Sequence, residues 1–89
     1  MDNQSDFLNL WDDLTPREKE IFSFIVEGKS DKEIAEKLYL SVRTVTTHIY
    51  HILRKFDKES RMSLVVYYYR DSGYLIDKKG GKNGIHKAA

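Results

Sequence analysis

Apolar residues recur along this chain every three or four positions, the spacing of helices rather than strands. Ile21, Phe22, Ile25 and Val26 form one stripe. Ile34, Ala35 and Leu38 form a shorter one, and Val45, Ile49, Ile52, Leu53 and Phe56 form the longest. Each stripe follows a polar start signal. In Thr15-Pro16-Arg17-Glu18, Thr15 can cap the first turn, Pro16 suits the first helical position, and Glu18 can return the capping bond. Gly28 ends that helix. Ser30-Asp31-Lys32-Glu33 is a second capping box, and Tyr39-Leu40 carries a tight turn. Ser41 caps a third helix, free of glycine and proline as far as Phe56. Ser60 caps a fourth, which should run to about Asp71 and be closed by Gly73. No useful stretch alternates as a strand would. The pattern predicts an all-α fold with four short helices between Thr15 and Ser72.

The two ends read differently. Phe7, Leu8, Trp11 and Leu14 fall at helical spacing among acidic residues. Residues 1–13 are therefore expected to form an N-terminal extension, a short helix or turn packed on the body at 14–75. Residues 76–89 are rich in Lys and Gly, with Ile85 as an isolated aliphatic, and are expected to be a disordered basic tail.

Composition sets bounds on this picture. Eighty-nine residues make one domain. So short a chain buries only about 60 to 65% of its unfolded surface, so stability should be modest unless it oligomerises. The lack of cysteine excludes disulfides and cysteine-held metals. Neither a long apolar run nor a basic-then-apolar leader is present, so no membrane contact is expected and the chain should be cytoplasmic. The net charge is only +1, but it is unevenly placed. Residues 1–20 carry −4, residues 41–61 carry +3, and residues 77–89 carry +3. One face could therefore meet phosphate.

The helix from Val42 to Phe56 is the candidate for that face. With Val45 at the origin and about 100° per residue, Ile49, Ile52, Leu53 and Phe56 share its side. Arg43, Thr47, Tyr50 and Arg54 lie opposite, flanked by Thr46 and His51. All six can donate hydrogen bonds and none is acidic, which suits a negative partner. Any surface helix has a polar outer face. The short capped helix before it, the tight turn and the charge asymmetry carry the reading further. A short bracing helix, a turn and a presented helix have the geometry of a helix-turn-helix. Ala35 is small enough to let the two helices cross closely. Ser41 and the free amides at the helix start suit a phosphate.

At this point the chain resembles the LuxR-type (GerE-type) helix-turn-helix domain of bacterial transcriptional regulators. The resemblance rests on Leu14-Thr15-Pro16-Arg17-Glu18 with Ile21, and on the run from Gly28 to Ala35. Leu38, Leu40-Ser41, Thr44-Val45, His48-Ile49, Ile52, Lys55-Phe56 and Ser60-Arg61 continue it. It covers about Leu14 to Tyr69. It implies a four-helix domain that binds double-stranded DNA as a homodimer, with helix 42–56 in the major groove. It places base reading on Thr46, Thr47 and Tyr50. It places phosphate contacts on Lys32, Thr44 and Lys55, with Arg43 and Arg61, and sets His48 beside the DNA backbone or against the helix packing. Ser41 and Arg54 complete the phosphate-contact set. Members usually carry Lys or Arg where this chain has Thr46. The strongest base contact, a cation to guanine, is therefore missing there, and weaker base readout is expected. That leaves an alternative: a module of the same fold that binds a partner regulator and has lost or weakened DNA binding.

The remaining features add partners rather than chemistry. The fourth helix is apolar or aromatic nearly all round. Leu64, Val65 and Tyr68 can fill the core, leaving Met62, Val66 and Tyr69 to be covered by a homodimer partner or by the Phe7–Trp11 segment. The acidic, Trp-bearing start suits a regulatory protein partner. His48 and His51 are spaced to share a metal but have no third ligand nearby, and His86 lies in the tail. No metal or cofactor is expected. Asp12-Asp13 reads as a solvated acidic turn, and no catalytic set is apparent, so the chain is not expected to be an enzyme. It reads as a transcriptional regulator, either stand-alone or part of a larger protein.

Overall fold

Helix starts in this chain fall where a side chain can replace a missing backbone partner. The computed structural model describes residues 3–72. Its helices are α1 (Asn3–Asp12), α2 (Pro16–Val26), α3 (Asp31–Leu38), α4 (Val42–Phe56) and α5 (Arg61–Tyr67), followed by a π-helical turn at Tyr68–Ser72. No strand occurs among the described residues, and the fold is all-α as the hydrophobic pattern predicts. Thr15 and Ser30 each form a reciprocal capping box, with Glu18 and Glu33. Ser41 and Ser60 accept from the amides of Thr44 and Ser63. These bonds satisfy amides that the first helical turn leaves without partners.

The helix ends share a second device. Gly28, Tyr39 and Asp57 all adopt the left-handed backbone conformation, with φ of 88°, 58° and 56°. The amides of Lys29, Leu40 and Lys58 then turn back onto the carbonyls of Phe24, Ala35 and Leu53. This closes each helix within a residue or two. Glycine signals such an end in the sequence, whereas Tyr39 and Asp57 adopt it against their own sterics.

One core unites the five helices. α2 gives Ile21, Phe22, Ile25 and Val26, α3 gives Ile34 and Ala35, and α4 gives Val45, Ile49, Ile52 and Phe56. Leu64 of α5 and Tyr68 of the π-helical turn close it. Residues 3–12, expected to form a short helix or turn, make a helix of ten residues. Its Phe7 is 1% exposed and lies 5.8–6.1 Å, centroid to centroid, from the rings of Trp11, Phe22, Phe56, Tyr67 and Tyr68. Two aromatic rings with somewhere apolar to go are enough to hold a short acidic helix in place.

α1 packs against the π-helical turn and so covers the Tyr67–Tyr68 side of the last helix. Met62 and Val66 stay open, 65% and 46% exposed. The fourth predicted helix thus divides into α5 and a wider turn at Tyr68. Its expected closure at Gly73, and the expected tail at 76–89, lie outside the described residues.

Candidate nucleic-acid interface

α3 packs across α4, with small, buried Ala35 on one side and fully buried Val45 on the other. The left-handed turn at Tyr39 and the cap at Ser41 fix the angle between them. The Ser41 hydroxyl accepts from the Thr44 amide at 3.0 Å and donates to the Thr44 hydroxyl at 2.9 Å. The N-terminal half of α4 is thereby held open to solvent. Arg43, Thr44, Thr46, Thr47, Tyr50, His51 and Arg54 are all exposed, and α4 contains no Asp or Glu. Lys32, in the first turn of α3, is exposed as well.

The side chains of that face are partly organised among themselves. The Thr46 hydroxyl donates to the Val42 carbonyl (3.0 Å), with an Asp31 carboxylate oxygen also in reach at 3.3 Å. The Thr47 hydroxyl donates to the Arg43 carbonyl at 3.0 Å. Arg54 lies over the Tyr50 ring, 5.7 Å from its centroid, and donates to its hydroxyl at 3.4 Å. The His51 ring centroid is 5.7 Å from that of Tyr50.

Two of the expected phosphate cations have partners inside the protein. The Lys55 ammonium donates to the Glu18 carboxylate at 2.8 Å and to the Asp13 carbonyl at 3.2 Å. Arg61 forms an ion pair with Asp31 and donates to the Lys29 carbonyl at 3.1 Å. These bonds tie α4 to α2, and α5 to the start of α3. Of the residues expected at a dimer face, Tyr69 donates from its hydroxyl to the Val26 carbonyl at 3.0 Å, at the end of α2. Met62 and Val66 remain the open apolar pair.

Sequence reading assigned Glu18 only a capping role and passed over Asp31 except as part of a helix start. Their partners lie 37 and 30 residues away, and no local spacing signals such pairs. Burial alone would push the Glu18 carboxyl up. The hydrogen bonds from Lys55 and from the Thr15 amide, with the charges of Lys55 and His48, more than reverse this and hold it below its ordinary value. His48 itself is half-buried on α4. Among the described residues, no group of three or more His, Asp or Glu could hold a metal, and no helix is long and apolar enough to cross a membrane.

Residues 12–68 match the family described as bacterial regulatory proteins, luxR family. The chain belongs to the LuxR family. It is 48% identical over 58 residues to the transcriptional regulatory protein LiaR of Bacillus subtilis (strain 168), a match covering 65% of this chain and 28% of LiaR. It is 48% identical over 54 residues to the oxygen regulatory protein NreC of Staphylococcus haemolyticus, covering 61% of this chain and 25% of NreC. A putative HTH-type transcriptional regulator of Mycobacterium tuberculosis (strain ATCC 25618 / H37Rv) is 44% identical over 55 residues, 62% of this chain and 6% of that protein. The chain thus spans between about a quarter and a small fraction of these LuxR-family relatives. α3, the Tyr39 turn and α4 are the helix-turn-helix of this LuxR-family domain.

Proposed function

We propose that this chain regulates transcription by binding double-stranded DNA, with α4 in the major groove and two copies acting on a pseudo-palindromic site. The observation that carries the reading is the solvent face of α4. Eight of its residues are open, all but Val42 carry a polar or cationic group, and none is acidic. Thr46, Thr47 and Tyr50 stand where base edges would lie. Lys32, Ser41, Arg43, Thr44 and Arg54 surround them as candidate phosphate contacts. Lys55 and Arg61 act inside the domain, aligning α4 and α5 with the rest. His48 sits between the two roles. The outer side of α1, with Asp6, Asp12 and exposed Leu8, is offered to a regulatory protein partner.

A DNA-binding titration against salt tests this. Each phosphate neutralised contributes about −0.9 to the slope of log K against log salt. Lys32, Arg43 and Arg54 from two copies predict a slope of about −5. A flat response, or no binding at low salt, would sink the DNA reading in favour of a protein-interaction module of the same fold.

A further inference from the structure

We propose that Thr46 and Thr47 read thymine through its 5-methyl group, and that neither uses its hydroxyl as a donor to bases. This rests on the placement of α4 in the major groove. The first observation is where the hydroxyl protons go. A threonine hydroxyl has one proton. In Thr46 it points to the Val42 carbonyl at 3.0 Å, with the Asp31 carboxylate at 3.3 Å as a second acceptor; in Thr47 it points to the Arg43 carbonyl at 3.0 Å. Threonine on a helix makes this bond to the carbonyl four residues back readily. Asp31 is itself held by Arg61, so the second acceptor at Thr46 is fixed in place.

The second observation is exposure. Both threonines are open to solvent although their hydroxyls are turned back onto the chain. On a tetrahedral Cβ, the branch left to face outward is the methyl. Two adjacent methyl groups therefore stand at the N-terminal half of α4, the part of such a helix that meets base edges. Guanine offers only acceptors on its major-groove edge and would need the proton these hydroxyls have already given away. The amino groups of adenine and cytosine could only donate to the hydroxyl oxygens, which are turned back toward the helix. Thymine offers a methyl in the same groove, which an apolar partner can cover.

The structure thus assigns specificity to a pair of methyl groups at the place where a cation would have selected guanine. The other donors on this face belong to Arg43, Thr44, Tyr50, His51 and Arg54. Arg54 already leans on the Tyr50 ring and donates to its hydroxyl.

The test uses the full 89-residue chain and the duplex it enriches from a randomised library. Each thymine of that duplex is replaced in turn by deoxyuridine, which lacks only the methyl. At one or two positions per half-site the wild type should lose about three- to fourfold in affinity. Thr46→Val keeps the methyl branch and removes the hydroxyl, so it should retain that loss. Thr46→Ser keeps the hydroxyl and removes the methyl, so it should bind thymine and deoxyuridine equally at its position. The same pair at Thr47 should act at the neighbouring base. Helix content measured by circular dichroism checks that each variant is folded. Enriched sites without thymine, or equal binding of both duplexes by the wild type, would overturn methyl readout and leave the docking of α4 intact. Discrimination lost in Thr46→Val but kept in Thr46→Ser would overturn it too, in favour of the hydroxyl. Failure to enrich any duplex would remove the docking itself, and methyl readout with it.

Discussion

At position 18 a single carboxylate oxygen accepts from the Thr15 amide at 2.9 Å and from the Lys55 ammonium at 2.8 Å. The first bond starts α2 and the second fastens α2 to α4. This arrangement makes stability depend on acid. The folded pKa of Glu18 lies below its ordinary value of 4.5. Its contribution is therefore fully present above that value and is lost as pH falls through the lower, folded one. Urea unfolding should show stability dropping as the pH goes below about 4.5. Lys55→Met leaves the carboxylate buried without its cation. It should cost about 1 to 3 kcal/mol at pH 7 and flatten the acid dependence, because the folded pKa moves up toward the unfolded one. Parallel pH profiles for the two proteins would show that the pair is not the source. The capping half of this role is legible in Thr15-x-x-Glu18. The Lys55 half is not, because only the packing of α2 on α4 brings the two together.

Among the helices, α4 is the most fully written in the sequence and α1 the least. α4 shows its buried side in the spacing of Val45, Ile49, Ile52 and Phe56, and all four are buried as that spacing requires. α1 buries Phe7 and Trp11, with Leu10 packed partly against the core, on a helix whose other residues are mostly polar or acidic. Local propensity alone would leave so short a helix marginal. Its order comes from the aromatic cluster, in which Phe7 touches rings from α2, α4, α5 and the π-helical turn. Phe7→Ala should therefore cost about 3 to 5 kcal/mol, a large share of the stability a domain this size can hold. Leu8→Ala, on the 43% exposed side of the same helix, should change stability by about 0.5 kcal/mol or less. Thermal melts of the two variants check this. Similar losses would mean that α1 is held by something other than its aromatic face.

For the whole molecule, the question is what covers α5. α1 takes the Tyr67–Tyr68 side, and the Tyr69 hydroxyl is engaged by the end of α2. Met62 and Val66 are left as an apolar pair on the side away from both. In the proposed dimer they meet their counterparts across a two-fold axis. Val66→Asp should leave helix content unchanged and halve the mass measured by sedimentation. An unchanged mass would place the contact elsewhere. Tyr69 is a poorer probe, because altering it also removes a bond inside its own chain.

Much of the architecture follows from local chemistry. The caps at Thr15, Ser30, Ser41 and Ser60, the glycine at 28 and the three apolar stripes determine where helices start, where one ends and which sides are buried. Each depends on residues within a turn or two of one another, so the linear order suffices. The division of labour among polar residues does not follow in this way. Whether Lys55 and Arg61 face outward or bind Glu18 and Asp31, and whether α1 covers α5, were decided by contacts 30 to 60 residues apart in the chain. A cation's partner is set by which carboxylate the packing brings within 3 Å of it, and that distance exists only once the helices are assembled.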